Sequence, residues 1–181
     1  MKTIVTEIPD RTTFYRGEKT LTIGYPWLTF GAIMALEQIL KDEKYAGKIL
    51  EMGAGGSTIF FSKQCKELLS LEHDMNWAMR VSEKLLVGSP AEIICKPIKD
   101  LVEIIKSKED GYYNLILADG GPDYHSRELM MRASVPKLKR MGWLIIDNYA
   151  NMDFDYTTGW DVYTYDMFRY SGRGTRLCKK L

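Results

Sequence analysis

Two groups of residues in this chain have the types and spacing to do chemistry. The first is Ile49-Leu50-Glu51-Met52-Gly53-Ala54-Gly55-Gly56-Ser57-Thr58, followed by Leu69-Ser70-Leu71-Glu72-His73-Asp74, the second acid standing twenty-one positions after the first. Apolar residues that run into glycines predict a strand, a tight turn and a helix. Glycines let the backbone approach a ligand closely, and an acid at the tip of the next strand accepts hydrogen bonds from ribose hydroxyls. The unit is therefore expected to bind a nucleoside. The second group is a pair of strand ends, Leu115-Ile116-Leu117-Ala118-Asp119-Gly120 and Leu144-Ile145-Ile146-Asp147-Asn148. A carboxyl directly after an apolar strand costs free energy unless it has a partner, so two of them at the carboxyl ends of strands point to a shared ligand.

Two nucleoside cofactor classes use such a glycine loop. A nicotinamide dinucleotide brings its pyrophosphate to the loop and disfavours a nearby acid. Here Glu51 stands two residues before the first glycine, and Gly53-x-Gly55-x-x is followed by Thr58 in place of a third glycine. The chain resembles the class I S-adenosylmethionine-dependent methyltransferases, Glu51 to Thr58 matching their first motif and Glu72 their ribose-binding acid. S-adenosylmethionine has no phosphate and carries positive charge, which an acid at the loop tolerates. The resemblance implies cofactor contacts from Glu51, Gly53, Ala54, Gly55, Ser57, Thr58, Glu72, His73, Ile98 and Asp119. Asp100 is read either as a partner of the adenine amine or as a helix cap, and Trp77 as core.

The twenty-eight residues from Asp119 to Asp147-Asn148 resemble the spacing in the catechol O-methyltransferase group, which implies a magnesium ion held by Asp119, Asp147 and Asn148. Three hard oxygen ligands suit that ion, and a bound metal lowers the pKa of a substrate hydroxyl. Pro122 stands where that group has its lysine base. His125 and Asp119 are the candidate catalytic bases, His125 being alternatively a solvated residue of a helix start capped by Asp123 or Ser126. Trp27 and Tyr149 are the candidate acceptor contacts.

These residues need a scaffold, and the rest of the chain predicts one. Short apolar runs near 48–52, 68–72, 92–95, 113–119 and 142–147 alternate with helical patterns over about 56–66, 75–87, 98–108 and 124–140, the signature of a parallel sheet covered on both faces. Asp74 is placed to cap the second of these helices. Residues 161–169 and 175–179 read as a terminal strand pair around a turn at Ser171-Gly172-Arg173-Gly174. The expected fold is α/β: a Rossmann-like, doubly wound, mostly parallel seven-stranded sheet with a C-terminal antiparallel strand pair. One domain over 1–181 is expected, with 1–47 as an N-terminal lid segment containing a helix over 27–40 and 48–181 as the core.

Composition narrows the partners. Lys and Arg number 25 against 24 acids, so no global field favours nucleic acid or an anionic membrane. Cys65, Cys95 and Cys178 form no CxxC pair, only two histidines are present, and no apolar segment reads as a signal or a span. The expectation is a cytoplasmic, S-adenosylmethionine-dependent methyltransferase acting on a small-molecule acceptor, with hydroxyl oxygen as the favoured atom and magnesium as a possible second cofactor. Its rivals are a nucleic-acid methyltransferase and a noncatalytic methyltransferase-fold binding module.

Overall fold

The structure is a computed structural model that describes residues 2–5, 21–22, 24–42, 44–155, 158–167 and 170–181. Strands β1 (Lys2–Val5), β2 (Lys48–Met52), β3 (Glu67–Glu72), β4 (Ala91–Cys95), β5 (Tyr113–Ala118), β6 (Leu138–Asp147), β7 (Trp160–Met167) and β8 (Tyr170–Lys180) form one sheet in the order β1-β7-β8-β6-β5-β2-β3-β4. The pairs β2–β3, β3–β4, β2–β5 and β5–β6 are parallel, whereas β8 runs antiparallel to both β6 and β7. The expected seven strands are all present. β1 adds an eighth, parallel to β7 at the sheet edge, so part of the predicted N-terminal segment belongs to the sheet.

Helices α1 (Phe30–Leu40), α2 (Gly56–Ser62), α3 (Met75–Ser82), α4 (Ile98–Ser107) and α5 (Tyr124–Ser134) pack against this sheet. Strand alternation sends Leu50, Met52, Leu69, Leu71, Ile116, Leu144 and Ile146 to a core with Leu101 and Ile105 of α4 and Met130 and Met131 of α5. Ile49, Leu68, Leu115, Leu117 and Ile145 face the other way, against Leu36 and Leu40 of α1 and Phe60 and Phe61 of α2. Both faces of the parallel strands are buried, which is why these strands read as continuous apolar runs.

The observed boundaries correct several expectations. The helix predicted over 124–140 ends at Ser134, where Pro136 in a short 3-10 turn cannot continue the α-helical ladder, and residues 138–140 already belong to β6. The helix predicted over 75–87 stops at Ser82, and that predicted over 56–66 at Ser62. Ser171–Gly174 lies inside β8 instead of forming a turn, with a register shift between Asp166 and Met167 on its partner strand. Asp74 caps α3 as expected, accepting from the N–H groups of Asn76 and Trp77. Asp123 caps α5, accepting from Ser126 N–H. Asp100 sits in the first turn of α4, whose cap position is Pro97, so it is not a cap.

Chain direction changes sides at β2. From β2 the chain winds outward through β3 and β4, then returns to lay β5 on the opposite flank of β2. Between the carboxyl ends of β2 and β5 the two departing loops diverge, which opens a crevice in a doubly wound sheet.

Candidate functional site

Two glycines hold that switch point together. Gly53 has φ +89, and a β-carbon on it would lie 2.3 Å from the Gly120 α-carbon; one on Gly120 would lie 2.1 Å from the Gly53 α-carbon. The loops after β2 and β5 thus touch backbone to backbone, with Gly120 N–H donating to the Met52 carbonyl at 2.5 Å and Gly53 N–H to the Leu71 carbonyl at 2.7 Å. Asp119 is thereby fixed beside the glycine loop.

Above this weld lies a cleft of about 350 Å³, lined by Trp27, the loop Gly53–Ser57, the strand end Glu72–Asp74, Trp77, Asp119–Gly121 and Arg127. Of the predicted site residues it gathers Trp27, Gly53, Ala54, Gly55, Ser57, Glu72, His73 and Asp119. Glu72 is the most heavily engaged. Its Oε1 accepts from His73 N–H at 2.7 Å, Asp74 N–H at 2.8 Å and His73 Nδ1 at 2.8 Å. Its Oε2 takes a single donor, Ala54 N–H at 3.0 Å, and a carboxylate oxygen has a further lone pair to offer a hydroxyl. Trp77, read from sequence as core, lines the cleft, and its indole N–H donates to the Ala54 carbonyl at 2.6 Å. The cleft walls carry three carboxyls, Glu72, Asp74 and Asp119, against the guanidinium of Arg127. That balance suits a ligand bearing positive charge.

Glu51 is placed elsewhere. It is fully buried beneath the loop, where its Oε2 accepts from Thr58 Oγ1 at 2.7 Å and Ser70 Oγ at 2.5 Å, while Gly55 N–H donates to Thr58 Oγ1 at 2.8 Å. Glu51 and Thr58 therefore brace the loop from below and do not line the cleft. Among the described residues Glu51 Oε1 has no hydrogen-bond partner. Burial pushes this carboxyl from its ordinary 4.5 up to about 7, against the hydroxyls of Ser57, Ser70 and Thr58, which pull it down. Because the folded pKa is raised, the folded state holds the proton longer than the unfolded state, and stability falls as pH rises between those two values. The cost at alkaline pH is as much as about 3 kcal/mol. Replacing Glu51 by Gln is expected to flatten the decline in stability between about pH 4.5 and 7 and to make the protein more stable above that window. Urea titrations across that range measure it, and an unchanged slope in Glu51→Gln would assign the proton to another group.

Three further predicted residues stand away from the cleft. Ile98 packs into the α4 side of the core. His125 is exposed one residue into α5. Tyr149 is buried, its hydroxyl donating to Asp166 Oδ1 at 2.6 Å and its ring lying 3.7 Å under the Arg176 guanidinium. The structure thus places Glu51, Thr58, Ile98, His125 and Tyr149 outside the lining of this cleft.

The strand ends of β5 and β6 do come together. Burial raises the Asp119 carboxyl above its usual range, and Arg127 and a hydrogen bond with Asp147 pull it back. Asp147 is raised well above its ordinary value, first by burial and then by the Asp119 charge. Asp147 Oδ1 accepts from Thr175 Oγ1 at 3.0 Å, and Oδ2 accepts from the side-chain amide of Asn148, which has the left-handed backbone conformation at φ 51. Arg127 closes the group: Nη1 donates to the Asp147 carbonyl at 3.1 Å, Nε to the Gly120 carbonyl at 3.4 Å, and Nη2 lies 3.8 Å from Asp119 Oδ1. The residues do not fit magnesium. A metal site needs accessible oxygens and unbalanced negative charge, whereas each Asp147 oxygen already accepts from a protein donor and the Arg127 guanidinium already supplies the positive charge. Arg127 escaped the sequence reading because its only signal was a cation one turn into a helix that starts at a strand end.

Comparison with known proteins agrees with this fold. Residues 50–149 match a family model described as a methyltransferase domain. Among solved structures, the chain is similar to a protein assigned as a caffeoyl-CoA O-methyltransferase from Staphylococcus aureus, with a TM-score of 0.64 at 15% identity over 94% of this chain and 92% of that one. A structure described as an rRNA methylase from Streptococcus thermophilus gives 0.62 at 15% identity over 82% and 96%. A protein assigned as a methyltransferase from Streptococcus mutans, solved with S-adenosylhomocysteine, gives 0.58 at 14% identity over 81% and 97%. At these identities the likeness is one of fold. No curated protein sequence matches the chain.

Proposed function

The chain belongs to the methyltransferase-domain family and is an S-adenosylmethionine-dependent methyltransferase, and we propose that it transfers the methyl group to a hydroxyl oxygen of a small molecule. The observation that carries the acceptor reading is the Asp119–Asp147 carboxyl pair, of which Asp119 lines the cleft and both members are raised in proton affinity by burial. S-adenosylmethionine, when bound, supplies an already activated methyl group, so the protein's tasks are alignment and removal of one proton. Glu72 with the Gly53–Ser57 loop would hold the nucleoside, and the acidic walls would favour the cationic end of the cofactor. Asp119, facing the cleft, would take the hydroxyl proton, with Arg127 beside it to balance the charge.

A small acceptor fits the charge distribution better than nucleic acid does. The basic run Lys137–Arg140 stands at the start of β6, the opposite end of the strand from Asp147, and Lys137 is paired with Asp110 at 2.7 Å. Among the described residues no helix is long and apolar enough to cross a membrane.

The test is methyl-labelled S-adenosylmethionine incubated with a panel of small hydroxyl compounds and, separately, with total RNA. Label in a small hydroxyl compound is the expected result, and label in RNA alone would replace this reading with the nucleic-acid one. With the acceptor so found, Asp119→Asn should lower kcat by about 100-fold while S-adenosylhomocysteine still binds. A variant that keeps full kcat would remove Asp119 from proton transfer.

A further inference from the structure

We propose that Arg127 is a built-in cation that occupies the place of a divalent metal at the carboxyl ends of β5 and β6. The inference deepens the acceptor reading above and rests on it only in taking these strand ends as the acceptor side.

Two carboxyls brought together at the edge of a cleft need a positive charge nearby, or one of them must hold a proton. Arg127 meets that need from α5. It is 12% exposed, its guanidinium is anchored by the carbonyls of Gly120 and Asp147, and Nη2 is left 3.8 Å from Asp119 Oδ1 at the cleft wall. The Tyr124 ring, 5.5 Å from the guanidinium carbon, covers it from its own helix. This geometry fixes the cation without a metal's demand for bare ligands. Thr175 and Asn148 each donate to one Asp147 oxygen, and Arg127 faces Asp119. A dication entering here would displace those donors and sit against a fixed positive charge, which repels it strongly at this range. An arginine cannot be deprotonated in a protein, so the charge persists at every working pH. It would hold an ionised Asp119 ready for the acceptor hydroxyl and would not itself touch the methyl group, which makes it a positioning residue.

The measurement is titration of the whole chain with Mn2+, followed by electron paramagnetic resonance, with S-adenosylhomocysteine present. Wild-type protein is expected to leave Mn2+ free at millimolar concentration. Arg127→Ala should gain a site, with affinity raised by about tenfold or more, and adding Asp147→Asn should abolish it. Arg127→Lys should stay metal-free like the wild type, because an ammonium restores the charge; a merely structural loss would not be corrected in that way. One tightly held Mn2+ in the wild type that disappears in Asp147→Asn overturns the proposal. So does a folded Arg127→Ala that gains no Mn2+, since the carboxyls would then form no latent cation site. The wild-type and Arg127→Lys titrations stand even where the alanine variant fails to fold. No acceptor is needed for this readout, so its failure and a failure of the acceptor assay are separate results.

Discussion

Alanine at Gly53 or at Gly120 is expected to lower stability by about 3 kcal/mol or more and to abolish cofactor binding. The added carbon at Gly53 would meet the Gly120 α-carbon at 2.3 Å, and that at Gly120 would meet Gly53 at 2.1 Å. Both obstacles are backbone, so no side chain can swing aside. At Gly53 the positive φ adds strain for any residue with a β-carbon. Relief requires the loops after β2 and β5 to part, which breaks the Gly120 N–H bond to Met52 and displaces Asp119. Gly88 offers a control, because it also has positive φ but has open space around it; its alanine variant should show only the modest backbone cost of about 1 kcal/mol. Denaturant titration together with calorimetry using S-adenosylhomocysteine decides the matter. A Gly53→Ala protein as stable as wild type would mean that the two loops are not in contact.

The second large effect is expected at Glu72. Glu72→Ala should weaken S-adenosylhomocysteine binding by about 100-fold, the equivalent of one or two charge-assisted hydrogen bonds. Part of this loss would come through the loop, since Ala54 N–H would be left without its acceptor. Glu72→Gln separates the contributions: its amide oxygen can retain some backbone donors while the charge is gone. It should fold nearly as well as wild type yet bind the ligand more weakly. Affinity within about threefold of wild type in Glu72→Ala, measured by calorimetry, would show that the ribose is held elsewhere.

The sequence revealed this cleft more clearly than it revealed the side chains that face into it. Glycines at a strand end have little meaning apart from a close backbone approach, so Gly53 and Gly55 could be assigned a role before their neighbours were known. Gly120 was visible only as a turn residue, because its contact with Gly53 depends on β5 lying beside β2. Glu51 shows the converse. A motif acid on a strand points to one of two sides, and here alternation places it with Ile49 on the α1 and α2 side, below the loop. Helix faces were equally hidden. Whether His125 or Arg127 of α5 reaches the cleft depends on how the helix docks, and the docked helix exposes the first and brings the second to the cleft wall. The long apolar strands were easy to recognise because burial on both faces leaves no other composition open to them, whereas the four residues of β1 carry no periodicity long enough to read.

The antiparallel strand β8 lies between β6 and β7, and Thr175 on it donates to Asp147 and accepts from Thr29 N–H at 3.2 Å. A chain made on the ribosome therefore acquires the two halves of its site at different times. The glycine loop and Glu72 can assemble once β2, β3 and β5 have emerged, but Asp147 gains its hydroxyl partner only after nearly thirty more residues have been added. Until β8 inserts, the apolar strand β6 has an open edge of unpaired backbone groups, an invitation to pair with another nascent chain. The interval before β8 inserts is thus the stage at which this fold is most exposed to mispairing, independent of how stable the finished fold is.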